Sequence, residues 1–160
     1  MLYPPSRYDE HLVLKVPATL WLTLAFLLRH LFLLGITCMP TTGDEIRVLR
    51  DLVQPEYLIA DLIALPVLVV AARRRPQAPD WMRRVWPAGR ALLSASAALY
   101  LGLLTTHLAR SGQPLIVAID EAVVISALLN LAVIAYLWRS PLLRDLFKEF
   151  PAPVARRQTR

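Results

Sequence analysis

Four apolar runs dominate this chain, and each approaches the ~20 residues that an α-helix needs to cross the hydrocarbon core of a bilayer. They cover residues 16–39, 56–72, 91–108 and 115–138, separated by short charged or Pro-containing segments. Apolar residues make up 56% of the sequence and charged residues 19%, where a soluble domain carries roughly 25% charge. A soluble fold must cover its outside with polar groups; a fold solvated by lipid need not. The expected fold class is therefore an all-α integral membrane protein. Short loops make consecutive helices antiparallel neighbours, so its four transmembrane helices should form an up-down bundle, with short interfacial helices attached. Residues 1–15 form an N-terminal arm, 16–138 the transmembrane domain, and 139–160 an interfacial helix with a basic tail.

Orientation follows from where Lys and Arg fall. The N-terminal arm has 2, the first loop 2, the second loop 6, the third loop 1 and the C-terminal tail 6, with Arg29 inside the first run. Placing both termini in the cytoplasm puts 14 of these charges inside and 3 outside, which satisfies the positive-inside rule. Trp21, Trp81, Trp86 and Trp138 then fall near the cytoplasmic headgroup level, where indoles settle. The net charge of +6 is topological rather than a nucleic-acid footprint, because its arginines are scattered between apolar runs with no aromatic interleaving for base stacking. Nucleic acid is not expected as a partner.

Three further segments have a local reading. Thr42-Gly43-Asp44-Glu45 has capping-box spacing, and Ile46, Leu49 and Val53 follow at helical intervals, predicting a short amphipathic helix on the outer surface. Ser140-Pro141 suits a helix start, and Leu142, Leu143, Leu146, Phe147 and Phe150 oppose Arg144, Asp145, Lys148 and Glu149, predicting a second helix in the interface plane. Cys38 is the single cysteine, so no intrachain disulfide or cysteine metal cluster can form. Thr37 before it is a poor match to a lipoprotein cleavage box, so the first run is expected to remain as a helix.

Polar residues inside the runs are the candidate site. Neither half of the first run spans alone, which forces Arg29 and His30 to membrane depth; starting the second span after Asp61 would leave it too short, which forces Asp61 there too. His107, Asp120 and Glu121 complete an expected cluster in the middle or outer half of the membrane, although a fourth span starting at Ala122 would leave both carboxylates at the aqueous edge. An intramembrane charge costs roughly 2.5–3.5 kcal/mol on insertion scales, so each should find a partner, and Arg29 with Asp61 is the expected pair. That pair reads either as a clamp between the first two helices or as part of a pathway or headgroup site. Two small-residue stripes, Ser94-Ala98-Gly102 and Ala122-Ser126-Asn130, are expected to seat helices closely, with Asn130 bonding across the interface. His30 and His107 as axial haem ligands would differ in depth by about 9–10 Å at 1.5 Å rise per residue, so no haem is expected. No metal or other cofactor is expected either. Five scattered glycines allow no phosphate-cradling loop, and neither a zinc-protease motif nor a nucleophile elbow occurs, so the chain is not expected to be an enzyme.

Tyr8-Asp9, His11, Leu14-Lys15, Pro17, Trp21 and Arg29, with the Pro55 region and the arginine-rich second loop, resemble the YfeZ-like family of small bacterial inner-membrane proteins. The resemblance covers most of the chain and implies a bacterial inner-membrane address with no assigned activity. The functional expectation is a non-catalytic accessory or assembly subunit that meets lipid and other membrane subunits or copies of itself. The alternative is a small permease, ion-conducting or lipid-headgroup-binding protein using the Arg29 and Asp61 cluster.

Overall fold

The computed structural model describes residues 3–9, 13–38, 55–110, 112 and 121–151. Among them every regular element is helical, apart from an isolated antiparallel bridge between Tyr8 and Leu14. In chain order the α-helices are α1 (Ala18–Leu27), α2 (Arg29–Thr37), α3 (Leu58–Ala72), α4 (Asp80–Val85), α5 (Gly89–Arg110), α6 (Glu121–Arg139) and α7 (Pro141–Leu146). Three stretches, Pro55–Ala72, Asp80–Arg110 and Glu121–Arg139, are long and apolar enough to cross a membrane. The predicted outer helix over residues 42–53, Asp120 and the basic tail from residue 152 lie outside the described residues.

The first apolar run departs from expectation. It is two helices, α1 and α2, bent by 64° at a break, so it makes a fourth span only if the bent pair is counted as one. The break falls at Leu28, whose φ of −99° and ψ of 15° leave the helical region, immediately before Arg29-His30. Neither Pro nor Gly causes it. A break in an apolar run exposes carbonyls at the end of one half and amides at the start of the other, and these must be satisfied by protein groups where water is excluded.

α5 is the hub: α3 and α6 pack along it, and α1 and α2 pack on α3. Its inward face carries Leu93, Ser96, Ala97, Tyr100 and Leu104, all buried. α6 is peripheral, burying only Asn130 and Leu137 among its residues.

One end of the bundle is closed by three segments that the sequence left separate. The N-terminal arm folds back on itself through Asp9 N–H to the Val13 carbonyl (2.8 Å) and Lys15 N–H to the Arg7 carbonyl (2.8 Å). Its Tyr3 hydroxyl donates to Asp145 (3.0 Å), and the Leu14 amide donates to Glu149 (3.3 Å). Arg74 forks between the carbonyls of Leu14 (2.6 Å) and Glu149 (2.5 Å) while stacking 4.9 Å above Trp86. Burial lowers its pKa to about 10, against the opposing pull of Glu149 and Asp9. Arg83 forks in the same way between Pro76 (2.6 Å) and Pro151 (2.7 Å). Trp86 is buried among these segments, its indole N–H donating to the Leu146 carbonyl at 2.8 Å. α7 starts as expected, with Ser140 Oγ accepting from the Leu143 amide at 3.4 Å. Its apolar face does not lie on lipid, however. Leu143, Leu146 and Phe147 enter the core, and Phe147 sits so close to Gly89 that a Cβ there would collide with its ring.

Candidate functional site

The polar residues that the sequence forced to membrane depth meet at the helix break, in a different pairing from the expected one. Arg29 and Asp61 form no ion pair. Asp61, in the first turn of α3, instead turns both oxygens to the start of α2: Oδ2 accepts the Leu31 backbone N–H at 2.9 Å, and Oδ1 lies 3.3 Å from His30 Nδ1. With Leu28 flanking α2, Leu31 is the third residue of that helix, the position whose amide an N-cap side chain ordinarily takes. Leu28 has no polar side chain to offer, so a carboxylate from another helix supplies the cap and meets the positive end of the α2 dipole. Since a carboxylate only accepts, the contact assigns the His30 proton to Nδ1.

Arg29 serves the other half of the break. Its Nη1 donates to the Phe26 carbonyl at 3.0 Å, in the last turn of α1, and its guanidinium lies 4.5 Å from the Phe26 ring centroid and 4.3 Å from that of Tyr100. The cation therefore rests at the negative end of one half-helix and the anion at the positive end of the other. This explains the departure from the expected pair: the backbone groups freed by the break compete for both charges. The second arginine nitrogen, Nη2, is buried and has no hydrogen-bond partner among the described residues.

Two tyrosines that the sequence reading passed over complete the site. Tyr57, in the turn before α3, and Tyr100 of α5 form a triangle of rings with the imidazole, their centroids 5.3 Å and 5.7 Å from His30 and 4.7 Å from each other. The signal for Tyr100 was available, since it shares the four-residue period of Ser96 and Leu104 on the hub face.

The remaining expected site residues lie elsewhere. His107 and Glu121 are exposed, and Asp120 is outside the described residues. In the stripe Ser94-Ala98-Gly102, Ala98 and Gly102 are exposed and seat no described helix, and a Cβ on Gly102 would meet nothing within 4 Å among the described residues. Ser94 is occupied by the Trp138 indole, which donates to its hydroxyl at 2.9 Å. In the other stripe Ala122 is exposed and Ser126 half-buried. Asn130 is fully buried, but its Nδ2 donates to the Ser126 carbonyl of its own helix at 2.8 Å, and its Oδ1 has no partner among the described residues. Ala98 and Gly102 face away from the described helices because the bulkier face of α5, through Leu93, Tyr100 and Leu104, fills the interior.

This arrangement is a break with matched caps and a stacked aromatic wall. Among the described residues no three His, Cys, Asp or Glu side chains are placed to hold a metal ion. Residues 3–149 match the model of a family described as "Protein of unknown function (DUF2919)". The chain belongs to that family. The family description carries no activity, and comparison with curated proteins and with solved structures gives no match.

Proposed function

We propose that this member of the family is a multi-pass protein of the bacterial inner membrane, of the YfeZ-like kind, acting as a non-catalytic subunit that docks onto a larger membrane assembly. One observation carries the reading. Ala91, Ala95, Ala98, Gly102 and Thr105 form an exposed face of small residues along α5, the helix most engaged with the rest of the bundle. Small residues let backbones approach closely inside lipid, where packing rather than the hydrophobic effect holds helices together. A hub helix that keeps such a face open offers a seat for a helix from another protein. The site at the break supports the same reading, because its charges are engaged by backbone groups.

The alternative, a small permease or a headgroup-binding protein, draws its support from the buried, unpartnered Nη2 of Arg29 beside a discontinuous helix, an arrangement that membrane transporters use at their binding sites. Purification in mild detergent separates the two. The docking reading expects a co-purifying membrane protein that is lost in Gly102→Leu while the chain itself stays folded. A Gly102→Leu chain that keeps all its partners would overturn it. If Arg29→Leu then abolishes a cellular phenotype without lowering abundance, the pathway reading takes its place.

A further inference from the structure

The run Arg73-Arg74-Arg75 directly follows α3, and its three side chains part company. Arg74 turns inward, to the two carbonyls and the Trp86 ring described above. Arg73 and Arg75 turn outward, are exposed, and have no carboxylate or other hydrogen-bond partner for their guanidinium groups among the described residues. Both stand in the wall of an open cleft of about 510 Å³, together with Gln77, Trp81 and Met82. Trp81 is 47% exposed, whereas Met82 is buried at 4% and gives the cleft an apolar floor. Asp80, the neighbouring acidic residue, is not part of the lining.

We propose that this cleft binds the phosphate-bearing headgroup of an anionic phospholipid. The cleft opens within a few residues of Ala72, the last residue of a candidate span, which is headgroup depth. The two guanidinium groups that line the cleft offer forked N–H donors for phosphate oxygens, the pairing for which arginine is best suited. The indole of Trp81 is amphipathic and suits the glycerol level, and the apolar floor receives the first methylenes. A choline headgroup would place a second cation beside two arginines, so an anionic lipid is favoured over a zwitterionic one. Arg74 is not a ligand; by anchoring the loop to the N-terminal arm and to α7 it fixes the direction in which its neighbours point.

The proposal rests on α3 crossing a membrane, and the two can fail separately. A chain released from membranes by alkaline carbonate fails the membrane reading. For a chain retained there and extracted in mild detergent, thermal unfolding is followed with phosphatidylglycerol, phosphatidylcholine or inorganic phosphate added. Phosphatidylglycerol should raise Tm in a concentration-dependent way, and the other two should not. Arg73→Gln with Arg75→Gln should weaken the apparent affinity about tenfold or more, since each arginine near an anionic surface contributes about fivefold. Trp81→Ala should weaken it further. Arg139→Gln with Arg144→Gln removes the same charge from exposed positions outside the cleft and should leave the affinity unchanged. Equal loss in that control pair, an equal shift with phosphatidylcholine, or no shift at all would each overturn the proposal. A full shift with inorganic phosphate would overturn the lipid and leave a free anion as the ligand.

Discussion

The Asp61 carboxylate accepts the backbone N–H of Leu31 at 2.9 Å, so a side chain on one helix caps another across a gap of 30 residues. Its second oxygen engages His30. Removing both acceptors in Asp61→Leu leaves two buried donors without partners, each at about 1–3 kcal/mol. Asp61→Asn keeps an acceptor oxygen for the amide and should lose only about 1 kcal/mol. Thermal unfolding in detergent orders the variants as wild type, Asn, Leu; an Asp61→Leu protein as stable as wild type rules out the cap.

Because Asp61 contacts His30 and not Arg29, a double-mutant cycle should find its coupling there. The cycle of His30→Phe with Asp61→Leu should give an interaction of about 0.5–3 kcal/mol, as contacting residues do. The cycle of Arg29→Leu with Asp61→Leu should give a smaller one, and the double mutant should show no marked recovery. A larger coupling for Arg29 would restore the direct clamp that chain length alone pointed to.

Arg74 and Arg73 are sequence neighbours with opposite expectations. Lysine in place of Arg74 keeps a charge but cannot fork between the carbonyls of Leu14 and Glu149 or stack on Trp86. The cation is held in place at a desolvation cost, which its lowered pKa of about 10 records, so its hydrogen bonds are the stabilising part. Arg74→Lys should therefore cost about 1–3 kcal/mol by thermal unfolding, against less than about 0.5 kcal/mol for Arg73→Lys.

How much of this was legible in the sequence depends on whether a residue's role is set by its own segment or by another. The spans of α3 and α5 and the Ser140 cap of α7 follow from local apolar length and turn chemistry. An expectation of membrane depth for Arg29, His30 and Asp61 follows from length too, for the first two only where α1 and α2 together make one span. Their pairing does not, since it depends on the break at Leu28, and that break has no Pro or Gly to announce it. The burial of Trp86 was hidden for a related reason: an indole between two spans carries no sign that Arg74, Leu146 and Phe147 close over it. The small stripe on α5 was visible as a pattern, but a pattern does not say which side of a helix faces the rest of the chain.

Two glycines on α5 should respond in opposite ways. A methyl group on Gly89 collides with the Phe147 ring, which Trp86 holds from its other side at a centroid distance of 4.7 Å. Overpacking of this kind costs about 1–3 kcal/mol, so Gly89→Ala should lower Tm in detergent. Gly102→Leu should leave the isolated chain unchanged, because none of the described residues lies within 4 Å of a Cβ there. Equal destabilisation at both positions would mean that Gly102 faces a helix of this chain after all.

The closed end of the bundle bears on topology independently of charge. The N-terminal arm, the loop after α3 and the segment after α6 touch one another through Tyr3 and Asp145, Leu14 and Glu149, and Arg74. Three segments in contact lie on one side of a membrane, so the chain must cross an even number of times between each pair of them. With α3 as one crossing between the arm and the loop, the bent pair α1 and α2 is expected to provide the other. On the positive-inside rule, the excess of Lys and Arg in these same segments predicts that this side is the cytoplasm. A reporter active only in the cytoplasm should therefore work when fused after Arg75 or after Arg160, and fail when fused at Asp44. Activity at Asp44 with none after Arg75 or Arg160 would reverse the orientation and move Arg29, His30 and Asp61 to the inner half of the membrane.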